Sequence, residues 1–206
     1  MSGALTWPHR RPTLGSRLAL AALRAAGWTP LLAPPPGPRL VAAGAPHTAD
    51  ADFWLGLLWK WATRSPVHFV GKHDLFRPPL GLFMRAVGGL PLDRRRARNN
   101  FVGAVADVIR REREIVLIVA PEGTRARADH WKTGFYYMAR AADVPIGVLV
   151  LDWGRKRVGL VGYLTPSGDL EADFAEIRRL LEGVQGRVPG NMTPAYPRPR
   201  ETNPEE

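Results

Sequence analysis

The run Ile115-Val116-Leu117-Ile118-Val119 restricts the fold more than any other stretch of this chain. Its residues are apolar without alternation and almost purely β-branched, which suits a strand buried on both faces. Such a strand belongs to a sheet covered by helices on both sides, and those sheets are largely parallel. Leu40 to Ala43, Val67 to Val70 and Pro145 to Leu151 read as further buried strands, and Arg157 to Tyr163 alternates as a strand pairing beside the last of them. Helical spacing runs over Asp50 to Thr63, Leu75 to Val87, Ala97 to Arg111, Trp131 to Ala142 and Leu170 to Glu182, with Gly88 to Arg94 a short extended piece. Strands alternating with helices over about 140 residues predict an α/β fold: a single layered domain with a mixed, mostly parallel sheet flanked by helices.

The two ends read differently. Residues 1–13 are polar and contain prolines, which predicts a loose segment, and Leu14 to Ala26 predicts a short basic helix. Its apolar stripe is Leu14, Leu18 and Ala22, with Arg17 and Arg24 off it. Such a helix either packs on the core or lies on a lipid surface. Pro34-Pro35-Pro36-Gly37-Pro38 is a stiff connector after which a folded unit starts. The expected organisation is a leader with a short basic helix over 1–38, a domain over 39–185 and a Pro-rich, disordered tail over 186–206.

The net charge of +10 implies an anionic partner: nucleic acid, an anionic membrane surface, a phosphorylated substrate or an acidic carrier protein. The absence of cysteine excludes disulfides, thiolate catalysis and sulfur-ligated zinc. No run reaches the roughly 18 apolar residues of a spanning helix, and Arg17 and Arg24 interrupt the apolar core a signal peptide would need.

Chemistry concentrates in Ala45-Pro46-His47-Thr48-Ala49-Asp50-Ala51-Asp52. A neutral imidazole takes a proton from a hydroxyl near pH 7, and a carboxylate on its far nitrogen fixes the tautomer and stabilises the imidazolium. Five positions apart on one helix, His47 and Asp52 would point about 140° away from each other. The pair therefore works only with His47 outside the helix and Asp52 in its first turn, an arrangement that Thr48 or Asp50 as N-cap would give. Ala120-Pro121-Glu122-Gly123-Thr124-Arg125 follows the most hydrophobic strand directly and suits an anion, which backbone amides and a guanidinium both address. Gly88 to Arg94 and Gly71-Lys72-His73 each end or follow an extended piece with a cation. Arg94-Arg95-Arg96-Ala97-Arg98 reads as a solvated basic face. His9, His68, His73 and His130 have no metal-ligand spacing, so no metal is assigned.

In order and spacing these pieces, from about residue 40 to 165, resemble the glycerolipid acyltransferase family, specifically bacterial 1-acylglycerol-3-phosphate acyltransferases and related lysophospholipid acyltransferases. His47 and Asp52 match its histidine, four residues, aspartate motif; Gly88 to Arg94 match its glycine-led second motif. Pro121 to Arg125 match the third without substitution, Val144-Pro145 match the fourth, and Lys132 and Gly134 stand where the family opens its next helix. The resemblance implies a glycerol-3-phosphate acyltransferase-like fold, with His47 as general base, Asp52 as its orienter and Lys72, Arg94 and Arg125 as phosphate ligands. Glu122, Gly123 and Thr124 complete the substrate-binding turn. It also implies an acyl-coenzyme A or acidic acyl carrier protein thioester as co-substrate, no bound cofactor, a lysophospholipid acceptor, phospholipid biosynthesis, and a cytoplasmic enzyme held peripherally on an anionic membrane. Pro46, Ala49, Pro91 and Leu92 depart from the family's usual residues, as does the single proline of the fourth motif, and these positions bear on the acceptor pocket more than on the base.

The competing reading is a basic module that binds nucleic acid or an anionic surface without catalysis, motivated by the +10 charge, seven tryptophans and Arg94 to Arg98. A binding module has no use for a His-Asp pair, and no nucleic-acid partner is expected.

Overall fold

The computed structural model describes residues 5–70, 76–91 and 101–198. Among these, seven strands run as β1 (Thr29–Leu32), β2 (Arg39–Ala45), β3 (Val67–Val70), β4 (Gly89–Leu90), β5 (Ile115–Val119), β6 (Ile146–Asp152) and β7 (Arg157–Leu164). The helices are α1 (Leu14–Ala25), α2 (Ala51–Thr63), α3 (Leu80–Ala86), α4 (Phe101–Arg111), α5 (Gly134–Ala142) and α6 (Leu170–Leu180). One sheet has the order β1-β7-β6-β2-β5-β3-β4. Neighbours from β6 through β4 are parallel, β7 is antiparallel to β6, and β1 pairs parallel with β7. The sheet is therefore mixed and mostly parallel, as the unbroken apolar runs require.

The period of two along each strand divides the core in two. Val41, Ala43 and Ala45 of β2, Ile115 and Leu117 of β5, and Ile146, Val148 and Val150 of β6 face α4, α5 and α6, which contribute Val105, Ile109, Phe135, Phe174 and Ile177. Leu40 and Ala42, Val116, and Leu149 and Leu151 point to the other face, against Ala19 and Leu23 of α1 and Leu55 and Trp59 of α2.

Three expectations are corrected. Residues 5–38 are no detached leader: Trp7 is buried with its N–H on the Thr63 carbonyl at 2.7 Å, and the unanticipated strand β1 forms the sheet edge. Trp59 donates its indole N–H to the Leu31 carbonyl at 2.8 Å, and Gly159, at φ +137°, leaves that carbonyl room that any Cβ would fill. Proline in β1 is tolerated because an edge strand leaves one side of its ladder unpaired.

The second correction concerns α1, which starts with a reciprocal cap between Thr13 and Ser16. Its buried residues are Ser16, Ala19 and Leu23, so of the two placements open to the Leu14 and Leu18 stripe it does not pack on the core but faces outward, with Leu14 76% and Leu18 62% exposed. At 100° per residue the two sets lie on opposite sides of the helix. The third concerns the tail. Residues 186–198 are packed: the N–H of Trp131 bonds the Tyr196 carbonyl at 2.8 Å and its indole N–H the Thr193 carbonyl at 3.3 Å. The early parts of two expected helices, 75 and 97–100, lie outside the described residues.

If the N-terminal segment belongs to the core, Trp7→Ala will destabilise the protein by about 3–5 kcal/mol, as removal of a buried tryptophan does. Denaturant unfolding measures this, and a loss below about 1 kcal/mol, the size expected for a surface position, would contradict it.

Candidate active site

The strands β6, β2 and β5 are adjacent and parallel, so their carboxyl ends come together at one edge of the sheet. His47 follows β2, the turn Pro121 to Arg125 follows β5, and Trp153 follows β6. Ligands of open α/β sheets collect at this kind of edge.

His47 lies before the helix and Asp52 in its first turn, as the pair requires. The Nδ1 atom of His47 is 3.3 Å from Oδ2 of Asp52, whose side chain is fully buried, while 29% of the histidine side chain remains exposed. Neither Thr48 nor Asp50 caps α2 through its side chain. Asp52 reaches back instead, its Oδ2 accepting the N–H of Thr48 at 2.8 Å and of Ala49 at 2.9 Å, while Oδ1 accepts the indole N–H of Trp153 at 2.7 Å. Burial alone would raise the Asp52 carboxyl, but the bonds from His47, Ala49, Trp153 and Thr48 outweigh it and hold the group below its ordinary value. An ionised carboxylate on Nδ1 places the proton there, and Nε2 is the basic nitrogen left to meet a substrate.

Glu122 is buried behind the histidine. Its Oε2 accepts the His47 N–H at 2.8 Å, so the turn after β5 fixes the main chain that carries the imidazole. Among the described residues its Oε1 has no hydrogen-bond partner, and the side chain borders a cavity of about 190 Å³ shared with Pro46, Trp131, Leu181 and Met192. Burial pushes its carboxyl up to about 7, against the opposing pull of the His47 N–H and charge and with the Asp52 charge adding to it.

The rest of the turn opens outward. Gly123 takes φ +66°, with the Lys132 side chain laid across the place of its missing Cβ, and the Lys132 N–H bonds the Pro121 carbonyl at 2.8 Å. The hydroxyl of Thr124 accepts the Ala126 N–H at 3.2 Å. Arg125 is exposed and ion-paired with Asp50, the residue that starts α2, which brings its guanidinium to the histidine's side of the sheet. Lys72 and Arg94 lie outside the described residues.

Sequence reasoning missed Trp153 and gave Thr48 only the part of a helix cap. Trp153 sits in the turn between β6 and β7, and Thr48 is buried with its hydroxyl accepting the Val188 N–H at 3.2 Å. The only available signal for Trp153 was strand order, which puts the end of β6 beside that of β2. Among the described residues no group of three His, Asp or Glu side chains could hold a metal ion.

The raised Glu122 carboxyl makes stability depend on pH. The folded state binds this proton more tightly than the unfolded chain does, so the contribution is full below the ordinary value of 4.5 and is lost as pH rises through about 7. Glu122→Gln keeps an acceptor for the His47 N–H and removes the titration. Its melting temperature should match wild type near pH 5 and exceed it at pH 8; a pH-independent difference between the two would refute the assignment.

At the level of whole sequences and folds, no curated protein and no solved structure matches the chain. A family model does: the model described as Acyltransferase covers residues 35–151, from just before β2 to the end of β6, and so holds His47, Asp52 and the turn Pro121 to Arg125. That is more than half of the chain, which therefore belongs to the acyltransferase family.

Proposed function

We propose that this acyltransferase moves a fatty acyl group from a thioester, acyl-coenzyme A or an acyl carrier protein, to the hydroxyl of a lysophospholipid-type acceptor such as 1-acylglycerol-3-phosphate, in phospholipid biosynthesis. The observation that carries the reading is the His47–Asp52 pair, a buried carboxylate 3.3 Å from a partly exposed imidazole. Nε2 takes the proton of the acceptor hydroxyl as its oxygen attacks the thioester carbonyl carbon. The tetrahedral intermediate collapses with cleavage of the carbon–sulfur bond, and the imidazolium returns the proton to the departing sulfur, giving an ester and a free thiol. No acyl-enzyme is required.

Arg125 is the described candidate for the acceptor's phosphate. Its pair with Asp50 is exposed, and exposed pairs hold only about 0–1 kcal/mol, so a phosphate can displace the carboxylate. In a thiol-release assay His47→Ala should lose about 10²–10⁴-fold in kcat, the worth of general-base assistance. In the same assay Arg125→Ala should raise KM for a phosphorylated acceptor and leave KM for the donor unchanged, with lysine a poor substitute for a forked guanidinium. Near-wild-type turnover by His47→Ala would end the proposed mechanism.

The membrane partner is the second part of the proposal. Among the described residues no helix is long and apolar enough to cross a membrane, and α1 carries Leu14 and Leu18 outward beside Arg17 and Arg24. Its N-terminal end borders a groove of about 430 Å³ with Trp61, Arg10, Lys60 and Arg64. Apolar side chains flanked by arginines and an interfacial tryptophan suit the cytoplasmic face of an anionic bilayer, where each basic residue adds about 1 kcal/mol. Leu14→Asp with Leu18→Asp should abolish flotation with anionic vesicles at low ionic strength without lowering the melting temperature. Equal flotation of this variant and wild type would remove α1 from the interface.

A further inference from the structure

Asp52 can orient His47 only if the plane of its own carboxylate is fixed. The backbone donors of Thr48 and Ala49 hold Oδ2, and the remaining oxygen has Trp153 as its partner at 2.7 Å. We infer that Trp153 is a positioning residue for the His47–Asp52 pair, held in place by the C-terminal segment Gln185 to Val188; this rests on His47 being the base. One oxygen pinned by main chain and the other by an indole N–H leave the carboxylate no rotation about its Cβ–Cγ bond, which keeps Oδ2 on Nδ1.

Trp153 is itself held from several directions. Its N–H donates to the Gln185 carbonyl at 2.8 Å, the Arg187 guanidinium stands 4.9 Å from the centre of its ring, and Trp28 meets it edge-on at 4.9 Å between centroids. The neighbouring Asp152 is completely buried and accepts the N–H groups of Arg155 at 3.1 Å and Gln185 at 3.3 Å, and the Arg157 guanidinium at 2.9 Å. The same C-terminal segment reaches the His47 loop from its other side. Val188 bonds the Thr48 hydroxyl, and Gly186 lies so near that a Cβ would stand 2.8 Å from the Thr48 methyl. Residues 185–188 and Trp153 all fall beyond the family match, so this chain supplies the frame from its own C-terminal part.

The test is Trp153→Phe, which keeps an aromatic body and removes the donor, with Arg187→Ala as a milder companion that takes away only the stacked cation. Two quantities are read: the tautomer of the His47 ring from its 15N shifts, assigned against His47→Ala, and the pH dependence of kcat and KM. In wild type the neutral ring should be the Nδ1–H form. In Trp153→Phe the tautomers should mix and kcat should fall about 10- to 100-fold, the scale of a small misplacement of a reacting group, with both KM values little changed. The acid limb of the kcat profile should move to lower pH. A carboxylate free to turn off Nδ1 stabilises the imidazolium less, so the ring gives up its proton further down the scale.

A wild-type tautomer with wild-type kcat overturns the inference. So does a loss of activity with an unmixed tautomer and an unmoved acid limb, which would mark the tryptophan as packing alone. If Trp153→Phe does not fold, Arg187→Ala decides by the same readouts: a partial tautomer and pH shift supports the inference and none overturns it. Full activity in His47→Ala would instead defeat the acyl-transfer reading, whereas the tautomer is read without substrate and reports on Trp153 regardless.

Discussion

The buried charge of Asp52 is the constraint on which the site rests. A carboxylate with no exposure is costly unless its lone pairs are met, and here two backbone amides, an imidazole and an indole meet them. Those partners come from the loop after β2 and the turn after β6. The charge therefore joins two segments 101 residues apart as well as two side chains. It also ties the loop to the helix: the amides of Thr48 and Ala49, ahead of α2, are satisfied from inside the helix, while those of Asp52 and Phe53 in its first turn go to the Ala49 and Asp50 carbonyls.

Around that charge the sheet does the assembling. With β2 between β5 and β6 and all three parallel, His47, the turn that bonds its main chain and the tryptophan bonded to Asp52 arrive at one edge without further design. The packed N-terminal and C-terminal segments close the arrangement. Trp28 and Arg187 reach Trp153 from opposite ends of the chain, and Trp153, outside the family match like both of them, bonds Asp52 within it.

How much of this could be read from the residues follows from the kind of signal each element carries. The strands Val67–Val70 and Ile115–Val119 were legible to their last residue because both are short, rich in β-branched and aromatic residues, and followed within two residues by glycine or proline. The His47–Asp52 pair was legible because its spacing forces one geometry. Strand β1 was not: Thr29-Pro30-Leu31-Leu32 resembles a connector, and its partner in β7 lies 128 residues later. The face of α1 was not decided by the residues because the helix is apolar on both sides, and only contact with α2 decides which side is inside. The tail was misread because composition counts prolines but cannot see that Trp131, Arg178 and Thr48 each bond the segment's backbone. Trp153 carries no motif at all; its place follows from strand order, which is a property of the whole sheet.

Arg125 already holds a counterion, the carboxylate of Asp50. An anion arriving at Arg125 does not meet a bare cation surrounded by mobile counterions; it displaces a counterion that is covalently part of the protein. Added salt screens the incoming phosphate and the resident carboxylate alike. The two effects oppose each other, so on the proposed reading capture at this arginine would exchange one carboxylate for one phosphate and would be buffered against ionic strength in a way that attraction to the basic surface as a whole is not.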